Sequence, residues 1–300
     1  MPARLLRRSP AALATLVLVG VTASWGSTFV LIKDLVAHMP VPDFLAERFT
    51  IAAAVLALAN PRSLLRLDRA TLRHGIVLGL LYGLAQIVQT EGLARTSASV
   101  SGFITGTYVV LTPLFAALVL RSHPPRATWA AVATATAGLA VLSLRGLSVG
   151  LGESLTLVSA ALYALHIVGL GAWSSTRDAY GLAVVQMGVI AAVCAVAAAP
   201  GGIQVPDRGL DWVSLVYMAV ICGALALLAQ TWAQAHLPPA RAAIVMTMEP
   251  VWAAVFAVGI GGESLSWRML LGGALVLTAM YVVELAPRRR IEAEVPHIAV

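Results

Sequence analysis

The sequence predicts an all-α polytopic membrane protein whose ten transmembrane helices form two inverted five-helix repeats. The first supporting observation is composition: 59% of the 300 residues are hydrophobic, only 11% are charged, and the mean hydropathy is +0.87. Soluble domains carry about a quarter charged residues, so this composition excludes a water-soluble enzyme. The other two observations are a series of ten apolar runs and a similarity between the two halves of the chain.

The ten apolar runs are bounded by charged residues or by Pro and Gly. Ten helices of about 20 residues, the length that crosses a bilayer, use roughly 200 residues and leave only short connections. Short connections are typical of helical hairpins in a compact bundle. The predicted spans, numbered one to ten, are 11–33, 44–60, 72–93, 97–120, 126–144, 152–173, 181–199, 211–235, 239–261 and 266–286.

The basic residues predict the orientation of the spans. With the N-terminus in the cytoplasm, fourteen arginines fall in cytoplasmic segments and four in outer loops, which is the bias of the positive-inside rule. We therefore expect a protein of the cell (inner) membrane with both termini in the cytoplasm. Lys33 and Arg48 are expected at helix ends, where Lys33 either snorkels to the outer interface or faces a substrate.

The third observation is an internal repeat with a shift of 141 residues. The clearest match aligns residues 89–90 with residues 230–231, because both are Gln-Thr pairs inside apolar runs. Each half also has five spans, so two domains are expected, 1–145 and 146–300. The same shift aligns two further pairs, Tyr108 with Glu249 and Trp25 with His166.

An odd number of spans in each half means that the second half enters the membrane from the opposite side. The two halves are then related by a pseudo-two-fold axis in the membrane plane. This arrangement is characteristic of secondary transporters, whose substrate sites lie near the midplane between the repeats. The repeat therefore predicts a small-molecule substrate that crosses the lipid bilayer by alternating access.

Polar and aromatic side chains form stripes on five predicted spans. A polar stripe that faced lipid would be uncompensated, so these faces should point inward. Interhelical hydrogen bonds, worth about 0.6 kcal/mol each on average, explain any one of them, but five stripes together favour a water-filled central cavity. They comprise Trp25, Phe29 and Lys33 in span one, Tyr82, Gln86 and Gln89 in span three, Thr105, Tyr108 and Thr112 in span four, Ser159, Tyr163 and His166 in span six, and Gln230 and Gln234 in span eight.

Glu249 lies about ten residues into span nine, roughly 15 Å from its start at 1.5 Å per residue. A charge at a helix centre costs about 2.5–3.5 kcal/mol on insertion scales. Glu249 is thus either a hydrogen-bonded structural residue or a group that lines a cavity, and we favour the cavity. His166 is also far from the ends of its span, where it serves either as a helix contact or as a proton carrier. Glu249 and His166 are the candidates for proton coupling.

These stripes define the predicted substrate site. Aromatic walls and amide or ionisable groups together suit a small polar or amphipathic metabolite. The candidate substrate-binding residues are Trp25, Tyr82, Gln86, Gln89, Tyr108, Tyr163, His166, Gln230, Glu249 and Trp252.

Other classes of protein lack support in the sequence. The net charge of +6 comes from scattered residues, which disfavours a nucleic-acid partner. There is no HExxH, P-loop or Rossmann pattern, and no catalytic residue, metal site or cofactor is predicted. Cys194 and Cys222 lie in apolar runs and are interpreted as small hydrophobic residues. The alternatives are a sensor or receptor that does not transport and a membrane-embedded lipid-modifying enzyme, which would need clustered acidic or nucleophilic groups.

Several segments resemble the EamA family of the drug/metabolite transporter superfamily. The resemblance extends from about residue 13 to residue 286 in the family's order. The segments that carry it are 25–29 (WGSTF) followed by Lys33, 47–49 (ERF), 89–93 (QTEGL), 96–99 (TSAS), 108–113 (YVVLTP), 164–168 (ALHIV), 230–234 (QTWAQ) and 248–254 (MEPVWAA).

The resemblance implies a ten-helix carrier of two EamA repeats with a central substrate cavity. Relatives mostly export amino acids, other small metabolites or drugs, so an exporter of amino acids or related compounds is expected. One feature departs from the family pattern. Residues 121–123 replace the acidic loop that family members often carry after span four, whereas the second repeat keeps Glu263.

Overall fold

A computed structural model describes residues 10–119, 126–143, 150–175, 178–237, 242 and 245–285. Within these ranges all regular secondary structure is helical. The α-helices are α1 (Pro10–Leu35), α2 (Val41–Ala59), α3 (Arg69–Leu93), α4 (Ala98–Gly106), α5 (Tyr108–Val119), α6 (Arg126–Ser143), α7 (Leu151–Trp173), α8 (Ala179–Ala198), α9 (Gly209–Ala219), α10 (Ala226–Gln234), α11 (Met248–Gly259) and α12 (Trp267–Leu285). Two 3-10 turns, Pro61–Arg66 and Ala199–Gly201, and one π-helical segment, Val220–Leu225, accompany them.

The described helices fall on all ten predicted spans. Six helical stretches are long and apolar enough to cross a bilayer, namely Pro10–Leu35, Arg69–Leu93, Ala98–Val119, Leu151–Trp173, Ala179–Gly201 and Gly209–Gln234. Three shorter apolar helices are Trp129–Leu142, Met248–Gly259 and Trp267–Val282. The remaining helix, α2, is 19 residues long, about 28 Å at 1.5 Å per residue, which suits a hydrocarbon core of about 30 Å. The predicted all-α polytopic membrane fold is confirmed.

Spans four and eight are interrupted helices. Span four is divided at Thr107, whose backbone N–H bonds to the Ile104 carbonyl three residues back at 3.0 Å. The Thr107 hydroxyl donates to the same carbonyl at 2.6 Å. Span eight consists of α9, the π segment and α10. A π turn changes the backbone hydrogen-bond register and is frequent at functional sites.

Helices that are equivalent under the repeat make equivalent contacts in the two halves. The 141-residue shift carries α1 onto α7, α2 onto α8, α3 onto α9–α10, α5 onto α11 and α6 onto α12. The contacts follow the same relation, since α1 packs on α10 and α11 while α7 packs on α3 and α5. Equivalent helices also meet directly, α2 with α8 and α6 with α12. The interior between the halves is therefore built from both.

Two glycines allow the backbone of α11 to approach its neighbours closely. A Cβ added to Gly26 would lie 2.4 Å from the Trp252 Cβ and 2.9 Å from the Ala253 backbone nitrogen. A Cβ added to Gly102 would lie 2.6 Å from the Ala253 Cβ. Small residues at such crossings are typical of packed membrane helices. Through them α1 and α4 fix the position of α11, which carries Glu249.

Helix α2 begins three residues earlier than the sequence suggests. Its start at Val41 is compatible with Pro42, because a proline in the first turn sacrifices only an N–H that has no helical partner. Arg48, expected at a helix end, therefore lies seven residues inside α2, roughly 10 Å along its axis. It is buried, with 2% of its surface exposed.

Candidate functional site

One interior cavity lies between the two halves. Its walls come from α1, α2, α3, α4, α5, α7, α10 and α11 together with Met246. Nine of the ten side chains selected from the sequence line it, namely Trp25, Tyr82, Gln86, Gln89, Tyr108, Tyr163, His166, Gln230 and Glu249. The structure thus brings together residues that are up to 224 positions apart in the chain.

Trp252 is the candidate that does not line the cavity. Its indole packs beside Phe256 with ring centroids 6.3 Å apart, and its Cβ closes on the backbone of Gly26. Since Trp252 follows Glu249 by three residues, it lies on an adjacent face of α11, which is directed at α1. The structure places it at a helix contact.

A chain of hydrogen bonds crosses the cavity from one half to the other. The Gln86 amide nitrogen Nε2 donates to the Tyr163 hydroxyl at 2.7 Å, and that hydroxyl donates to Gln89 Oε1 at 2.8 Å. Gln89 Nε2 in turn donates to Thr105 Oγ1 at 3.0 Å. This chain of hydrogen bonds links four side chains but leaves Gln86 Oε1 buried without a partner. An acceptor in this position is available to a donor from a ligand.

Tyr108 and Glu249 form the central contact between the halves. The Tyr108 hydroxyl donates to Glu249 Oε2 at 2.9 Å and lies 3.2 Å from the Met246 carbonyl oxygen, a second acceptor. The two residues are separated by 141 positions, the shift of the repeat. Equivalent residues of two-fold-related halves can touch only near the axis. Glu249 therefore lies where the repeats meet.

His166 is held on the wall by Gln186. Its Nε2 lies 2.9 Å from Gln186 Oε1, and the Gln186 amide nitrogen donates to the Leu182 carbonyl at 3.2 Å. Because the Gln186 oxygen is the acceptor, this pattern assigns the proton to Nε2 of His166. The imidazole also meets the ring of Tyr82, with centroids 5.0 Å apart and planes at 67°. Gln186 was not identified from the sequence.

Backbone carbonyls of span eight accept hydrogen bonds from two cavity residues. Trp25 Nε1 donates to the Cys222 carbonyl at 2.9 Å, and Arg48 Nε donates to the Met218 carbonyl at 3.3 Å. Cys222 lies within the π segment, and Met218 lies two residues before it, in α9. Span eight thus anchors one side chain from α1 and one from α2.

Arg48 is the charged cavity residue that the sequence analysis did not select. Its guanidinium carbon lies 5.0 Å from the ring centroid of Phe49 and 5.9 Å from that of Phe44. Nη1 is buried and has no hydrogen-bond partner. The signal was present, because Arg48 stands in an apolar run, but the later start assigned to span two left it at a helix end.

Gln230 aligns with Gln89 under the repeat, yet the two differ in their hydrogen bonding. Gln89 uses both its oxygen and its nitrogen, whereas Gln230 Oε1 is buried without a partner. Gln234, one turn further along α10, has neither side-chain atom paired. Span eight therefore brings several unused polar atoms into the interior.

The cavity is narrow in this conformation. It leaves about 40 Å³ for the centres of water molecules, enough for about three of them at 10–15 Å³ each. Pockets that hold drug-sized ligands have volumes of about 300–1,000 Å³. A metabolite would therefore require the walls to separate.

A second polar cluster joins the halves at the end of the bundle where α3 ends and α7 begins. The Thr96 hydroxyl donates to Glu153 Oε1 at 2.9 Å. Lys33, the residue that closes span one, donates from Nζ to the Thr96 carbonyl. Lys33 is not among the residues that line the cavity.

Glu263 caps the N-terminus of α4 from the opposite half. Its carboxylate accepts from the Ala98 backbone N–H at 2.6 Å and from the Ser99 hydroxyl at 2.5 Å. A carboxylate is favourable at a helix N-terminus because it pairs with free N–H groups and with the helix dipole. The matching loop of the first half, 121–123, lies outside the described residues.

Metal-binding chemistry has little support in the part of the chain that the structure describes. No group of three or more His, Cys, Asp or Glu residues is placed to hold an ion there. Cys194 and Cys222 are both buried free thiols, as expected of small hydrophobic residues.

The chain is similar to known proteins over both halves. It is 29% identical over 262 residues to an uncharacterized transporter of Archaeoglobus fulgidus, covering 87% of this chain and 82% of that protein. It is 27% identical over 143 residues to a Streptantibioticus cattleyicolor protein named as a probable terminal-alkyne amino-acid exporter, covering 43% of this chain and 46% of that one.

A solved crystal structure has the same fold, with a TM-score of 0.65 and 22% identity over 91% of this chain and 97% of that chain. The EamA-like transporter family matches residues 12–144 and 150–285. These matches confirm the resemblance found in the sequence. The chain therefore belongs to the EamA-like transporter family and is a transporter rather than an enzyme.

Proposed function

We propose that the chain is a secondary transporter that exports amino acids or related small metabolites by alternating access. The observation that carries this proposal is the polar cavity between two inverted repeats, crossed by hydrogen bonds from both halves. Sites at such interfaces are characteristic of secondary transporters. The substrate class is supported by the partial relative named as an amino-acid exporter.

The proposed transport cycle moves one half against the other. Each half, 1–145 and 146–300, acts as one repeat around the Tyr108–Glu249 contact. The Thr96–Glu153 and Glu263–Ala98 hydrogen bonds join the halves at one end of the bundle. Breaking these few bonds while separating α4 from α7 and α11 would open the cavity toward that side.

Protons are the proposed coupling ion, with Glu249 or His166 as the carrier. Glu249 is a carboxyl inside the bundle that is held by the Tyr108 hydroxyl, and His166 is an imidazole with one nitrogen bonded to Gln186. Both side chains can exchange a proton with a water-filled cavity. Inside-out vesicles test this directly, because uptake that is equal with and without a pH gradient would exclude proton coupling.

We propose that the protein lies in the cell (inner) membrane with both termini in the cytoplasm. The positive-inside bias supports this orientation. Single cysteines at positions 145 and 288, which lie outside the described residues, are then expected to react from opposite sides of the membrane. Labelling of both from the same side would contradict the inverted topology.

The transport proposal is tested by counterflow in reconstituted liposomes. Purified protein is first screened by thermal shift against amino acids, amines and nucleosides, and each stabilising compound is then used as radiolabelled substrate. A transporter exchanges label across the bilayer, whereas a sensor binds without exchange. Glu249→Gln and His166→Ala are each expected to lower exchange. Normal exchange by both variants would refute the assignment of the site.

A further inference from the structure

Arg48 carries a charge inside the bundle that the described protein groups do not neutralise. The side chain is 2% exposed, its Nε uses one carbonyl, and Nη1 has no partner. The aromatic rings of Phe44 and Phe49 offer only cation–π contact. No described carboxylate forms an ion pair with Arg48. A buried charge without a partner is costly unless it serves a ligand.

Glu249 is the opposite case in the same cavity. It is 6% exposed and accepts one hydrogen bond, from Tyr108. No cationic side chain among the described residues lies within ion-pair distance of it. A buried carboxylate has two oxygens that can accept several donors, so most of its capacity is unused.

The two charges line one cavity and yet do not pair with each other. Arg48 belongs to α2 in the first half, and Glu249 belongs to α11 in the second. An ion pair between the two side chains would offset part of the cost of burying each charge. A cavity with separated positive and negative poles instead matches a molecule that carries both charges.

We propose that Arg48 binds the carboxylate of a zwitterionic α-amino acid whose ammonium group faces Glu249. This inference rests on the proposed function, because it places the substrate in the transport cavity. The guanidinium group suits a carboxylate because its planar fork can donate two parallel hydrogen bonds. The unpartnered oxygen Gln86 Oε1 is a further acceptor for the ammonium group. Tyr82 and Tyr163 offer apolar surface for the side chain of the substrate.

Binding of three forms of each amino acid tests the two charged contacts, with Arg48 and with Glu249, one at a time. The panel contains the twenty protein amino acids, their C-terminal amides and their N-acetyl derivatives. The amide lacks the carboxylate, and the N-acetyl form lacks the ammonium group. For the amino acid that binds best to the wild-type protein, we expect each derivative to bind about 10- to 100-fold more weakly, since each loses a charge-assisted interaction.

Arg48→Gln is the decisive variant. It is expected to bind the free amino acid about 10- to 100-fold more weakly and to bind the amide as the wild type does, so that discrimination between them disappears. Arg95→Gln makes the same chemical change at an exposed arginine and should leave both affinities unchanged. Arg48→Lys keeps the charge without the fork and is expected to retain part of the discrimination, which provides a second reading if Arg48→Gln does not fold.

The outcomes distinguish this inference from the proposed function. Exchange of amino acids by a wild-type protein that binds the amide and the acid equally would overturn the role of Arg48 but leave transport intact. Unchanged discrimination in a folded Arg48→Gln protein would do the same. Counterflow of another compound class, with no amino acid exchanged, would overturn the zwitterion and the proposed substrate class but leave transport intact. Absence of counterflow for every compound would overturn the proposed function as well.

Discussion

Gly26→Ala is expected to separate α1 from α11 and to disturb the cavity from a distance. The new Cβ would lie 2.4 Å from the Trp252 Cβ, about 1 Å closer than the 3.4 Å at which ordinary contact begins. The clash involves a Cβ and the Ala253 backbone nitrogen, so no flexible side-chain end can move away. Overpacking of this kind costs about 1–3 kcal/mol. Because Glu249 is one turn from Trp252, the shift should also weaken its 2.9 Å bond to Tyr108.

The assay is thermal unfolding in detergent together with counterflow in liposomes. Gly20→Ala is the matched control, because it makes the same change on α1 where no atom lies within 4 Å of the new Cβ. Equal melting temperatures for Gly26→Ala and Gly20→Ala would refute the reasoning.

Three further changes test other contacts. Tyr108→Phe removes the hydrogen-bond donor of Glu249 and should lower the free energy of unfolding by about 1.5–3 kcal/mol. Tyr281→Phe, at an exposed tyrosine, should leave it unchanged, and equal melting curves for the two variants would contradict the role of the Tyr108 hydroxyl. Glu263→Gln should cost about 1 kcal/mol, because an amide retains only one acceptor oxygen at the start of α4, and a melting temperature equal to that of the wild type would argue against the cap. The Asp68 carboxylate accepts a hydrogen bond from the Thr71 backbone N–H in the first turn of α3, which lowers the pKa of Asp68 below the usual 3.8. This hydrogen bond therefore stabilises the fold fully above pH 3.8, and the stabilisation is lost as the pH falls through the lowered folded-state pKa. Asp68→Asn retains the cap without this pH dependence, and identical acid melting profiles for the wild type and the variant would count against the bond.

The positions of the spans could be predicted from sequence because hydrophobicity alone determines which segments cross a bilayer. The alignment of Tyr108 with Glu249 could also be predicted, because the two residues share one register of the repeat. Their contact could not, since a two-fold relation brings equivalent residues together only when they lie near the axis. The structure supplies that position through the 2.9 Å hydrogen bond between them.

Other parts of the site depend on features that a hydropathy pattern does not contain. The burial of Arg48 follows from three additional residues at the start of α2, an error within the usual uncertainty of helix ends. The carbonyls that hold Trp25 and Arg48 lie in a π segment or just before it, and a π segment cannot be predicted from a hydropathy pattern. Trp252 shares an apolar helix with Glu249, and only the packing of α11 against Gly26 determines that it faces α1.

The two equivalent glutamines show that the repeat is not symmetric in its hydrogen bonding. Gln89 is bonded to Tyr163 and Thr105, while Gln230, its counterpart, keeps a buried oxygen without a partner. The shift of 141 residues carries Thr105 onto Met246 and Tyr163 onto Thr22. Because methionine has no hydroxyl that could accept from the Gln230 amide, the second half cannot form the same bonds as the first. The different hydrogen bonding of the two glutamines therefore follows from the sequence of the two halves.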